Sequence, residues 1–306
     1  KSKTLPCSRS SCRKSLNCRK MGAFGCSKFD WFTVVLAVAA SIGCCVNSEI
    51  DTRPKAPGTM QALSQAVLSL GGFLFSVCLH WRHCGSVTGP LKLLATSTVF
   101  WLTAENLDAK LGGMIFGEHP WNLQKMQVPL LGSMPVQQPM ALQWHIYLSL
   151  FMADSCLNTC FDARPMPWPR AVLAALFATL VDAAAEPAWL SAGLYHYVAC
   201  TDNPDYCLFG VDPKNYVAWF VLLSLCYRVF LLCDASTTAS PAPGIITMST
   251  YTAWISVLVW YLNLIRRSGA GMGVQFHSFC SGAIPLLVTG SCLWARSTMV
   301  KVRKRH

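Results

Sequence analysis

Two acidic residues lie in an otherwise apolar stretch, ATLVDAAAEPAWLSAGLYHYVA (residues 178–199). Asp182 and Glu186 are four residues apart, so on a helix they share one face, one turn from each other. No Lys or Arg occurs between Arg170 and Lys214 to neutralise them. Acids within a membrane segment are expensive and mark a functional site by default. A carboxyl group kept neutral by its surroundings acts as a general acid, and a carboxylate beside it activates water or takes up its proton. Thr179 extends the polar stripe, and Pro187 removes a backbone donor where the acids sit. Trp189, Tyr195, His196 and Tyr197 add aromatic surface, which stabilises a developing carbocation. Proton donor, aromatic walls and access from lipid together suit protonation of an alkene in a lipophilic substrate. The plain alternative is that the acids pair with donors on a neighbouring helix and only pack the bundle.

A second acidic group is Glu105, with Asn106, Asp108 and Lys110 after it. Glu105 and Asp108 are spaced i,i+3 and share a helix face. Asp108 and Lys110 read as a water interface, and Glu105 as the deeper, more informative residue. His119 and Trp121 follow in the next loop.

The elements that must position these residues are apolar helices. The chain is 53% hydrophobic and 13% charged, with mean hydropathy +0.38, where soluble domains carry about 25% charged residues. Its apolar blocks have the length of membrane spans, roughly 17–25 residues. Eight are expected, near 29–48, 61–81, 91–107, 139–157, 171–190, 215–233, 245–265 and 277–295, the third being weakest and seven the alternative count. The fold class expected is therefore all-α, a polytopic membrane helix bundle in one domain over 29–296. It is flanked by a basic N-terminal segment, 1–28, transit-like or upstream read-through, and a basic tail, 297–306. The net charge of +11 concentrates at these two ends. Basic flanks mark the cytoplasmic side or its equivalent, so both ends basic imply an even number of spans. Arg266 and Arg267 fall on the other side of that assignment. Lipid headgroups account for the basic ends, and no nucleic-acid partner is expected. The expected location is an integral one in an organellar or endomembrane, or otherwise the plasma membrane.

Sixteen cysteines occur without a single CxxC, and most fall in or at the ends of spans, where Cys acts as a small hydrophobe. Cys200 and Cys207 flank TDNPDY and would pair if that loop faced an oxidising compartment. The long linkers 108–138 and 199–214 mix Gly, Pro and aromatic residues and read as ordered functional loops, whereas 234–244 reads as a plain connector. No internal repeat of the kind found in inverted-repeat transporters is seen. DDxxD, DxDD and GxGxxG runs are absent, His145 has no HExxH or HxxxH context, and the last two spans lack Lys. These absences weaken terpene-synthase, dinucleotide, di-iron and retinal readings, and neither a metal nor a cofactor is expected.

Four blocks resemble a known family. The first is Glu105, Gly112-Gly113, Phe116-Gly117-Glu118, His119 and Trp121. The second is Leu131-Gly132, Val136, Pro139 and Trp144. The third is Ala178-Thr179, Asp182, Glu186-Pro187, Gly193, Tyr195 and Tyr197. The fourth is Phe209-Gly210-Val211-Asp212-Pro213, Asn215 and Trp219. Over roughly 95–225 the chain resembles the carotenoid biosynthesis membrane proteins, the carotenoid 1,2-hydratases such as bisanhydrobacterioruberin hydratase, as a distant member. His119 and Trp121 stand where that family has tyrosines, and Glu186 where it has its second acid. The resemblance implies cofactor-free addition of water to the terminal C1'–C2' double bond of an acyclic carotenoid. Asp182 would then protonate C2', with Glu186 and Glu105 positioning water or accepting its proton. Asn215 would hydrogen-bond that water, while His119, Trp121, Trp144, Thr179, Tyr195, Tyr197 and Trp219 would line the lipophilic polyene or isoprenoid. Two rivals stay open: a membrane terpenoid cyclase or isomerase using the same acid chemistry, and a lipid or carotenoid binder or proton-coupled transporter. The oligomeric state is not legible.

Overall fold

A computed structural model describes residues 70–81, 87–122, 129–136, 138–160, 167–233 and 244–303. The expected first span and the basic N-terminal segment lie outside the described residues, as do the connector 234–243 and the last three residues of the tail.

The described chain is mostly helical. Its helices are α1 (Leu70–Trp81), α2 (Thr88–Lys110), α3 (Gln138–Cys160), α4 (Pro167–Ser191), the short α5 (Val198–Asp202), α6 (Pro213–Cys233), α7 (Gly244–Arg267) and α8 (Met272–Arg303). A 3₁₀ turn, Pro204–Tyr206, follows α5. One small antiparallel hairpin, β1 (Leu130–Leu131) with β2 (Met134–Pro135), departs from the expected all-α class. Its Gly132 has φ +68°, and a β-carbon there would lie 1.9 Å from Asn106 Oδ1, so this turn is built for glycine.

The helix boundaries follow the apolar blocks closely. α2 runs on to Lys110, a little beyond the expected end of the third span. The helix continues because Asp108 is buried and its carboxylate accepts the Ile115 N–H, while the Asp108 carbonyl accepts Gly113 N–H at 3.0 Å. Asp108 thus caps a loop and does not mark a water interface.

Helix α4 is the axis of the bundle, packed against α3, α6, α7 and α8. Alanines make this close approach feasible: Ala171, Ala174, Ala175, Ala178, Ala183, Ala184, Ala185 and Ala188 are all buried. Pro187 has no N–H for the Ala183 carbonyl four residues earlier. Helix α8 satisfies that segment instead: His277 hydrogen-bonds the Ala183 carbonyl, and Ser278 Oγ donates to Ala184 O at 2.7 Å. At the far end of α4, Arg170 makes a two-pronged ion pair with Asp154 of α3, at 2.6 and 2.7 Å.

Among the described residues, Pro167–Ser191, Pro213–Cys233 and Met272–Ala295 are long and apolar enough to cross a membrane. On α6 the exposed residues Val217, Val221, Leu225 and Val229 recur every fourth position, an apolar ridge on the outside of the bundle. These features are compatible with an integral membrane protein.

Candidate functional site

The site sits at the C-terminal end of α4, and each wall has a local cause. Asp182 and Glu186 are buried on α4, at 5% and 7% exposure. Asn215, in the first turn of α6, donates from Nδ2 to Asp182 Oδ2 at 3.0 Å. That turn is fixed by Asp212, which precedes Pro213 and accepts the Lys214 N–H at 3.0 Å. Asp212 is thus an N-cap with proline at the first helical position. Tyr206 also donates to Asp212, at 3.1 Å.

After α4 the chain turns back at Gly193, and residues 194–198 pair with the loop after α2. Trp121 bridges Tyr195, Asn122 N donates to Leu194 O at 2.7 Å, and Val198 N to Glu118 O at 2.9 Å. This backbone ladder brings Tyr195, Tyr197, His119 and Trp121 together. Tyr197 donates its hydroxyl to Glu186 Oε2 at 3.0 Å, and Tyr195 also hydrogen-bonds Glu186. Burial pushes both tyrosine hydroxyls well above their ordinary range, so both remain donors.

His119 faces Glu105 of α2, Nε2 to Oε2, at 3.4 Å, and its Nδ1 lies 2.7 Å from the Gly117 carbonyl. A carbonyl only accepts, so Nδ1 carries a proton; a carboxylate opposite Nε2 calls for one there too. Burial by itself pulls the imidazole pKa down. The hydrogen bond and charge of Glu105, the Gly117 carbonyl and the charge of Glu186 outweigh it, and the pKa rises to about 9. The imidazolium lies among aromatic rings, with centroids 5.8 Å from Trp121, 5.7 Å from Tyr195 and 5.6 Å from Tyr197. Because the folded value exceeds the ordinary 6.5, this stabilisation is complete below pH 6.5 and is lost as pH rises through about 9. The melting temperature of detergent-solubilised protein should therefore fall across that window, and His119→Gln should flatten the fall. An unchanged slope in the variant would remove the charge from His119.

Beneath the acids lies a second aromatic layer. Trp219, one turn beyond Asn215, packs on Trp101 at 4.7 Å, and Trp101 meets Phe116 at 5.5 Å. Trp101 lies one turn before Glu105 on α2. Above the acids, an open cavity of about 530 Å³ is lined by Pro187, Tyr195, Tyr197, Cys200, Phe209 and Ser268, among others. Phe209 occupies a tight turn with Gly210, at φ +56° and +84°, a pairing suited to a two-residue hairpin. Its ring stacks on His277 at 4.3 Å, which holds a bulky residue in the left-handed region.

Cys200 and Cys207 form a disulfide across the acidic loop, with Cα atoms 5.6 Å apart. In the chain-entropy account, closing so short a loop stabilises by about 2 kcal/mol. Cys200→Ser with Cys207→Ser should lower the melting temperature by a few degrees, measurable by thermal scans in detergent. A reductant should have no further effect on that double variant.

The structure thus gathers Asp182, Glu186, Glu105, His119, Trp121, Tyr195, Tyr197, Asn215 and Trp219 around the end of α4. Two further expected residues are engaged otherwise. Thr179 donates back to Ala175 O at 2.9 Å within its own helix. Trp144 stacks on His145 at 3.9 Å and packs against Gly72 and Trp254. Two neighbours of the site escaped the sequence reading, Trp101 and Tyr216. Their only signals are position, one turn from Glu105 and next to Asn215. Among the described residues, no group of three or more His, Cys, Asp or Glu side chains is arranged to hold a metal ion. No family model, characterised relative or solved structure matches the chain.

Proposed function

We propose that this chain is a polytopic membrane enzyme, a bundle of about eight spans, that adds water to the terminal double bond of an acyclic polyene by acid catalysis without a cofactor. The observation that carries this reading is the acid pair: Asp182 held by Asn215, Glu186 held by Tyr197, both on one face of a buried apolar helix. Asn215 engages Oδ2 of Asp182, which leaves Oδ1 to carry the transferable proton. The His119 imidazolium faces Glu105 and lies within electrostatic range of Glu186, so the acid pair sits beside one fixed positive charge. The π electrons of the alkene take the Asp182 proton, leaving a tertiary cation between aromatic rings. A water lone pair closes the C–O bond, and Glu186 receives the released proton. Its transfer back to Asp182 resets the site. The sequence blocks that resemble the carotenoid 1,2-hydratases support the same reading, since residues of three of them converge around the acid pair.

A cyclase or isomerase would use the same acid, with an internal alkene or a lost proton ending the cation. A purely structural role also has one observation in its favour, because both carboxyls accept from protein donors. One experiment separates all three. In a host that accumulates lycopene, expression should yield a pigment heavier by one water. A product of unchanged mass would favour cyclisation or isomerisation, and unaltered lycopene would overturn the enzyme reading.

A further inference from the structure

The hydroxyl of Tyr216 is buried and has no hydrogen-bond partner among the described residues. It stands next to Asn215 in the first turn of α6, and its ring packs in the cluster of Leu194, Tyr195, Tyr197 and Val211. It lies within electrostatic range of both Glu186 and Asp182. A buried hydroxyl left unpaired costs roughly 1–3 kcal/mol, and native proteins pair nearly all such groups. The side chains nearest the acid pair are committed: Asn215 to Asp182, Tyr197 to Glu186 and His119 to Glu105, with Tyr206 engaging Asp212. Tyr216 alone among these side chains presents a free donor and acceptor beside the acid pair.

We propose that Tyr216 binds the attacking water and aims its lone pair at the cation formed by Asp182. This assignment rests on the hydratase reading above. In the step, the water accepts from the Tyr216 O–H, or donates one of its own O–H groups to the Tyr216 oxygen, while a lone pair of the water oxygen forms the C–O bond. The oxonium proton passes to Glu186, and no other reactant is consumed. Tyr195 and Tyr197 stand between Glu186 and the open cavity, so water reaches the pair from the loop side while the polyene enters from lipid.

The role makes a separable prediction, because protonation precedes capture. Without an oriented water the cation returns its proton, and in D₂O some of the recovered alkene then carries deuterium at the protonated carbon. Purified Tyr216→Phe, incubated with lycopene in D₂O, should form at least about tenfold less hydrated product. Deuterium in recovered lycopene should stay at or above the wild-type level. Its melting temperature should change little, since the hydroxyl makes no hydrogen bond to the protein among the described residues. Loss of product and deuterium by the same factor, or full retention of product, would overturn the role. Wild-type protein giving neither hydrated product nor deuterium would instead overturn the hydratase reading itself.

Discussion

Asp182→Asn should abolish hydration, lowering product formation by about 10²-fold or more, the range expected for a positioned general acid. The substitution keeps shape and hydrogen-bonding capacity. The side-chain oxygen can still accept from Asn215 Nδ2, now at 3.0 Å from Asp182 Oδ2, so the first turn of α6 should remain docked on α4. What disappears is a transferable proton. The variant should therefore express, bind detergent and melt like the wild type, yet leave lycopene unaltered and undeuterated in D₂O. Glu186→Gln differs in one respect. Its amide still accepts from Tyr197, so the pocket persists, but the proton released by water has no carboxylate to receive it. Full product formation by Asp182→Asn in reconstituted membranes would end the proton-donor assignment.

Gly113→Ala should be the most disruptive single-methyl change in the site. Gly113 has φ +75°, a region costing an L-residue roughly 1–2 kcal/mol. Its β-carbon would also lie 2.1 Å from the backbone nitrogen of Glu118 and 2.6 Å from its α-carbon. Backbone cannot swing aside as a flexible side chain does. The loop must open, and the loop is what seats His119 against Glu105 and zips Glu118 to Val198. A total penalty of about 3 kcal/mol or more is expected, drawn from strain and overpacking. The helices lie outside this loop, so circular dichroism should retain its helical signal while product formation collapses. Gly112→Ala is the internal control: it shares the positive φ, +63°, but has open space where its β-carbon would sit. Equal damage from both would mean that conformation, not crowding, governs the loop.

The sequence discloses the helices because their signal is local. Blocks of apolar residues 20 or so long leave little choice of element, and α3, α4, α6 and α7 begin and end close to where those blocks do. The extension of α2 through Asp108 escaped this logic, because a buried carboxylate satisfied by a loop N–H looks, in one dimension, like any polar helix end. The acid pair was legible from its spacing and from the lack of nearby Lys or Arg. Its partners were less so. Tyr195 and Tyr197 read as aromatic lining, yet they act through their hydroxyls, since the ladder between residues 118–122 and 194–198 turns them toward Glu186. The charge on His119 could not be read at all, as it depends on a carboxylate 14 residues earlier on another element. Trp144 stacks on His145 and packs against Gly72 and Trp254, long-range contacts that its motif position does not announce.

The Cys200–Cys207 bridge lies on the same end of the bundle as the acid pair. On the proposed function, this gives the reaction a direction across the bilayer. Water is drawn from the oxidising side, and the new alcohol emerges in the leaflet that faces it. A polyene with two reactive ends would have to turn end over end before its second end met the same acid. Singly hydrated product should therefore accumulate first, with the doubly hydrated form appearing only after a lag.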